Sequence, residues 1–173
     1  MCCWTTKALY NNRPAHNTGP WSTPWQMIFQ TGRIKMSNQH FSGRCLCGAI
    51  QFKVAAKPLR EVNCHCDDCR RATGSPYGAL AFVPEEALTV NGETPGSYSH
   101  SSDRGSEMEK LFCTKCGSQL FTRNNARVGM MGVRIGVIDD ASWFKPTVNV
   151  YRSRALPSTP IDEEISSFEK MSG

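Results

Sequence analysis

The stretch Glu107–Arg123, E-M-E-K-L-F-C-T-K-C-G-S-Q-L-F-T-R, is the one on which the fold turns. Its ends, Glu107 to Phe112 and Ser118 to Arg123, read as strands, and C-T-K-C-G lies between them. Cys113 and Cys116 sit on a tight turn whose glycine, Gly117, is free to adopt positive φ. Two thiolates so placed have the form of a zinc knuckle. The stretch therefore predicts a strand, a metal-holding turn and a second strand.

Working outward, the hydrophobic period stays close to two. Ile50, Phe52 and Val54 alternate with Gln51 and Lys53, a half-buried strand. Val62 to Cys66 reads as a short extended segment. Asp67 to Thr73 predicts one or two helical turns, with Asp67 or Asp68 near the N-terminus and Gly74 closing them. Ala79 to Val83 is a strand stopped by Pro84, and Asn91-Gly92 predicts a tight turn. Val133 to Ile138 and Thr147 to Tyr151 are two more strands. No long helix and no internal repeat is visible. The expected fold is mainly β, with short connections and with metal compensating for a modest core.

Three segments follow from this pattern. Residues 37–156 form the patterned domain. Residues 1–36 are rich in Asn, Thr, Pro and Trp and are expected to carry little regular structure. Two readings of them compete, a targeting segment and a start called upstream of a true one at Met36, and the second is favoured. Residues 157–173, P-S-T-P-I-D-E-E-I-S-S-F-E-K-M-S-G, are polar and expected to be a loosely attached tail.

The chain has nine cysteines. Cys2 and Cys3 have no assignable role. The other seven fall as C-x-C, C-x-C-x2-C and C-x2-C, a spacing that suits convergence on an ion better than disulfides between near neighbours. In an extended Cys45-Leu-Cys47 both sulfurs point to one side. With Cys113 and Cys116 they make a four-thiolate tetrahedron, a closed shell whose task is structural. Cys64, Cys66 and Cys69 then remain, and a zinc held by three protein ligands keeps a fourth position for water or substrate. The alternative is a second structural site closed by His65, Asp67 or Asp68, and other pairings of the seven sulfurs stay open. His65 lies between two ligands and points away from them if the segment is extended.

Charge narrows the partners. The net charge of +5 belongs largely to residues 1–36, where Lys7, Arg13, Arg33 and Lys35 occur without an acid. The remainder has sixteen basic and fifteen acidic residues, a near-neutral body unlike that of a nucleic-acid binder. No apolar run approaches the ~18–20 residues that span a bilayer, and no signal peptide is visible in the first 35 residues. The expected setting is the reducing cytoplasm.

The runs G-R-C-L-C-G-A-I-Q-F (Gly43 to Phe52), C-H-C-D-D-C-R-R-A-T-G (Cys64 to Gly74) and L-F-C-T-K-C-G-S-Q-L-F (Leu111 to Phe121) resemble the glutathione-dependent formaldehyde-activating enzyme family, which also includes centromere protein V. V-R-I-G-V-I-D-D (Val133 to Asp140) and V-N-V-Y-R-S-R (Val148 to Arg154) fit its C-terminal pattern, so the likeness spans about residues 38–155. The resemblance implies small stacked antiparallel sheets held by zinc, in a fold like that of methionine sulfoxide reductase B. It implies two zinc ions per chain: a structural one at Cys45, Cys47, Cys113 and Cys116, and a catalytic one at Cys64, Cys66 and Cys69. It further implies a carbon–sulfur lyase-type activity on thiol–aldehyde adducts such as S-hydroxymethylglutathione, with glutathione and formaldehyde as partners. The founding members differ between the middle cysteines, so the substrate transfers less directly than the metal sites.

Arg70 and Arg71 adjoin the middle cluster and are candidates to bind substrate carboxylates bidentately. Arg104, Arg123 and Arg127 are weaker ones. Asp67 and Asp68 are read as helix-capping residues, Tyr77, Phe82 and Phe121 as core, and His16, His40 and His100 as lying apart from the clusters. No general base is identified. The alternative from another class is a non-catalytic zinc module that binds protein or nucleic acid.

Overall fold

The computed structural model describes residues 40–171. The alternation at Ile50–Val54 becomes strand β2 (Ile50–Val54), with Ile50, Phe52 and Val54 buried and Gln51 and Lys53 exposed. It lies between β1 (Phe41–Arg44) and β5 (Leu88–Gly92) in a three-stranded antiparallel sheet. The remaining strands are β3 (Arg60–Cys64), β4 (Gly78–Pro84), β6 (Gly96–Ser101), β7 (Glu107–Phe112), β8 (Gln119–Asn124), β9 (Met130–Arg134), β10 (Val148–Val150) and β11 (Ser166–Phe168). They form an eight-stranded sheet in the order β11-β10-β3-β4-β9-β8-β7-β6. Only β10 pairs parallel, with β3 on one side and β11 on the other. Helix α1 (Asp67–Thr73) follows β3 directly. The chain is thus mainly β, as its period-two patterning requires.

The small sheet covers one face of the large one. Ile50, Phe52 and Val54 meet Val83, Leu111, Phe121, Met131 and Val133 in the main core, and the Phe52 and Phe121 rings pack edge-to-face at 5.2 Å. On the opposite face Val62, Leu80, Val148, Val150 and Tyr151 form a smaller core with Cys64 and Cys69. That second face carries the cavity described below.

Gly43 in β1 marks the closest approach between the small sheet and the chain after β9. A Cβ built there falls 2.2 Å from the Val137 carbonyl oxygen and 2.3 Å from the Phe52 ring. The carbonyl is backbone and cannot swing away, so Gly43→Ala is expected to cost about 3 kcal/mol. Urea denaturation checks this; an unchanged midpoint would contradict the packing described.

Four expectations are corrected. The strand read over Val133 to Ile138 is β9 at Met130–Arg134, followed by a 3-10 turn over Ile135–Val137. Ile135 and Val137 pack onto the main core instead of extending the strand, and Ile138 bridges to Gly43. Asn91-Gly92 is not a hairpin turn: both residues end β5, with Gly92 at φ 89°, before the chain crosses to the other sheet. The helix is capped by Cys66, not by Asp67 or Asp68. The polar segment after Leu156, expected to be loosely attached, contributes β11, the Tyr151 N–H donates to the Lys170 carbonyl, and Met171 packs on the smaller core. Cys2, Cys3, His16 and the segment 1–36 with its boundary at Met36 lie outside the described residues.

Candidate metal centres

Two groups of cysteines converge among the described residues: Cys45, Cys47, Cys113 and Cys116 in one, Cys64, Cys66 and Cys69 in the other. Within each group the sulfurs lie within 4.8 Å of one another. None of the seven is in a disulfide.

The first group joins two turns from different sheets. Cys45 and Cys47 lie on the β1–β2 connection, where Gly48 takes φ 74° and its N–H donates to the Cys45 carbonyl at 3.0 Å. Cys113 and Cys116 lie on the β7–β8 turn, where Gly117 at φ 75° donates to the Cys113 carbonyl at 2.8 Å. Both glycines supply the left-handed residue that folds the turn back around its sulfurs. The Leu46 N–H donates to the Ser118 hydroxyl across the junction at 3.0 Å. Sulfur separations of 3.5 Å for Cys45–Cys47 and 3.8 Å for Cys47–Cys113 compare with about 3.8 Å expected around a tetrahedral zinc bound at about 2.3 Å. Cys45 and Cys113 are buried. The Ile50 N–H donates to the Cys45 sulfur at 3.3 Å, as amides do to metal-bound thiolates. The donor set fits a closed, structural zinc.

The second group is built on the junction of β3 and α1. Cys64 ends β3, and Cys66, two extended residues later, presents its sulfur on the same side at 3.4 Å. Cys66 is also the N-cap of α1, its sulfur accepting from the Cys69 N–H at 3.4 Å. One turn of helix returns Cys69 to the other two, and Gly74 at φ 64° ends it with its N–H on the Arg70 carbonyl. Among the described residues, three sulfurs converge here without a fourth His, Asp or Glu ligand. His65 points elsewhere: it is buried, its ring lies 5.3 Å from that of Tyr77, and burial lowers its pKa toward the neutral form. This donor set fits zinc with three protein ligands.

The two groups differ in their surroundings. Cys64, Cys66 and Cys69 line a cavity of about 560 Å³ on the second face of the large sheet, and none of the other four cysteines does. Leu80 and Phe82 contribute apolar lining, and Arg60, Arg71, Arg104 and Arg127 contribute charge. The Arg127 guanidinium lies 6.0 Å from the centre of the Phe82 ring. Burial, with the neighbouring charges of Arg60 and Arg104, lowers the Arg127 pKa. The acids of the cavity are engaged. Asp67 binds Arg70 at 2.9 Å and Arg154 at 3.3 Å, while Asp103 accepts from the Tyr151 hydroxyl at 2.7 Å and faces Arg154 at 3.8 Å. Tyr151, with φ 58°, thereby helps fasten the 102–106 loop beside the cysteines.

The arginines expected at the site separate. Arg71 lines the cavity, whereas Arg70 is held by Asp67. Arg104 and Arg127 also line it, and so does Arg123, which is paired with Glu109 at 3.2 Å and with Glu85. Phe82 belongs to the cavity wall, Phe121 to the main core and Tyr77 to the neighbourhood of His65. His100 faces Asp68 at 3.9 Å, and His40 lies against Phe41 and Trp143.

Two residues that the sequence did not single out stand beside Cys69. Arg134, at the end of β9, is 3% exposed and donates to the Cys69 sulfur through Nη1 and Nη2 at 3.8 and 4.0 Å. Lys110, in the middle of β7, is 4% exposed. Hydrogen bonds from Cys64 and Cys66 hold the Cys69 thiol well below its usual pKa against the cost of burial, and the charges of Arg134 and Lys110 act in the same direction.

The family model described as glutathione-dependent formaldehyde-activating enzyme matches residues 40–154. A protein of Schizosaccharomyces pombe named as an uncharacterized lyase is 33% identical over 81 residues, covering 47% of this chain and 56% of its own. A protein of Phaeosphaeria nodorum that bears the family's name is 23% identical over 149 residues, covering 79% and 77%. A solved Rhodobacter sphaeroides protein aligns with a TM-score of 0.46 at 23% identity, covering 57% of this chain and 87% of that one. The match to the S. pombe relative thus spans little more than half of that protein's length.

Proposed function

Since the chain belongs to the glutathione-dependent formaldehyde-activating enzyme family, we propose that it is a zinc-dependent carbon–sulfur lyase-type enzyme acting on thiol–aldehyde adducts such as S-hydroxymethylglutathione. One observation carries the reading: of two cysteine groups fit for zinc, one brings four sulfurs together from turns of both sheets, and the other brings only three together at the wall of a cavity. In this reading Cys45, Cys47, Cys113 and Cys116 hold a structural zinc in a methionine sulfoxide reductase B-like stack, and Cys64, Cys66 and Cys69 hold the catalytic one. The seven unbridged cysteines suit a reducing compartment such as the cytoplasm, and no described helix is long and apolar enough to cross a membrane.

Cys64, Cys66 and Cys69 would hold the zinc, which when bound would supply the Lewis acidity to deprotonate a thiol or polarise a carbonyl oxygen. The chain's own residues do the rest. Leu80 and Phe82 give the substrate an apolar wall. Arg71, Arg60, Arg104 and Arg127 receive its carboxylates, and Arg70 keeps Asp67 oriented. Replacement of Arg127 by Gln is therefore expected to raise KM for a glutathione adduct about tenfold with little change in kcat, since the contact is made equally before and in the transition state. Steady-state kinetics decides; an unchanged KM removes Arg127 from the binding site.

The direct test is exchange NMR of the hydroxymethyl group in mixtures of glutathione and formaldehyde with the zinc-loaded full chain. Exchange faster than in buffer, proportional to protein and lost on demetallation, is the expected result. Exchange no faster than in buffer with both centres loaded would sink the enzyme reading in favour of a non-catalytic zinc module.

A further inference from the structure

We propose that Arg134 and Lys110 are buried counter-charges of the three-cysteine site and fit its fourth position to an anionic ligand, a thiolate, in preference to a neutral one. The inference rests on the metal reading above and adds the ligand class that reading leaves open. Buried cations are ordinarily paired, because an uncompensated charge out of water is costly. Arg134 is buried yet has no carboxylate partner among the described residues; its hydrogen bonds go to the Cys69 sulfur, and its Nε has none. Lys110 is buried as well, also without a carboxylate partner among the described residues, and shares the cavity with the three cysteines. The nearby acids face other groups: Asp67 is bound to Arg70 and Arg154, Asp103 to Tyr151 and Arg154, and Asp68, which shares the cavity but is 42% exposed to water, faces His100 at 3.9 Å.

The fold makes room for this arrangement. A Cβ on Gly78, at the start of β4, would lie 2.4 Å from Arg134 Nη1 and 3.1 Å from the Cβ of Cys69. Absence of a side chain at that position is what lets the guanidinium reach the sulfur.

Charge then selects the ligand. Three thiolates around a divalent ion carry one net negative charge, and Arg134 and Lys110 carry two positive ones. A singly charged anion at the fourth position brings the buried group to neutrality. Water, imidazole or an aldehyde oxygen would leave one positive charge uncompensated in a site where low polarity magnifies it. Of the two tasks open to the site, delivery of a thiolate is the one these cations support. A neutral thiol that binds gives its proton to solvent.

The test uses the full chain loaded with cobalt(II), whose thiolate charge-transfer absorption reports the site without turnover. Two probes are titrated: 2-mercaptoethanol, which has no carboxylate for the outer arginines, and imidazole. In the unaltered chain mercaptoethanol intensifies the band and binds at least tenfold more tightly than imidazole. Arg134→Met and Lys110→Met each lower that preference about tenfold, mostly through weaker mercaptoethanol binding. Arg134→Lys keeps the charge and most of the preference. Gly78→Ala, which displaces the guanidinium without removing it, lowers the preference and keeps the proposal testable if Arg134→Met does not fold. Unaltered preference in these variants overturns the proposal and leaves the enzyme reading standing. Absence of a cobalt band dependent on Cys69 in the unaltered chain overturns both.

Discussion

Cys113→Ser is expected to leave no stably folded protein. Cys113 is 1% exposed and belongs to the group that ties the β1–β2 connection to the β7–β8 turn. These turns belong to different sheets, so the centre joins the two layers that enclose the main core. Structural zinc contributes about 10–16 kcal/mol in small zinc domains, against about 5–15 kcal/mol of net stability in a typical domain. Serine is a poor ligand at neutral pH, and three remaining thiolates would hold the ion weakly in a site shaped for four. Circular dichroism and limited proteolysis should show a chain largely unfolded at 25 °C. A cooperative melt within a few degrees of the unaltered chain would mean that this centre does not hold the sheets together.

Cys69→Ser is expected to do the reverse, abolishing activity and sparing the fold. The exchange leaves two thiolates at the open centre, too few to retain zinc, so turnover should fall at least a thousandfold. The stability cost should be moderate. Arg134 loses the sulfur it donates to, which costs about 1–3 kcal/mol for a buried donor left unsatisfied. The main core does not include Cys69, which packs in the smaller cluster with Val62, Leu80 and Val150. Thermal melting and activity measured on one preparation separate these effects. Unfolding comparable to that of Cys113→Ser would show that both centres are structural.

The sulfur clusters were legible because ligand spacing is local. Cys64-x-Cys66 reaches one side of an extended chain, and C-T-K-C-G folds about its glycine; Cys45-x-Cys47, expected to be extended, instead lies in a turn closed by the Gly48 N–H on the Cys45 carbonyl, which brings the same two sulfurs together. Strands with one buried face, such as Ile50–Val54, announced themselves by alternation. Arg134 and Lys110 did not, for a shared reason. Each neighbours a core residue, Val133 or Leu111, and period two sends such a neighbour to the far face of the sheet. Sequence takes that face for solvent. Here α1 brings Cys69 against Arg134 and toward Lys110, a long-range fact that no window around residue 110 or 134 contains. Strand β11 was hidden in the same way, since S-S-F is short and exposed and pairs only because β10 lies beside it. The helix cap departs from the sequence expectation because a cysteine sulfur takes the role that an aspartate ordinarily fills, with Asp67 and Asp68 in the first turn instead.

Zinc content of the purified full chain under chelator challenge tests the two-centre account most directly. Two zinc ions per chain are expected. One should leave within minutes in the presence of EDTA and be slowed by added glutathione; the other should stay until the protein unfolds. Loss of both ions at one rate, untouched by thiol, or a content of one or none, would contradict a closed centre at Cys45, Cys47, Cys113 and Cys116 beside an open one at Cys64, Cys66 and Cys69.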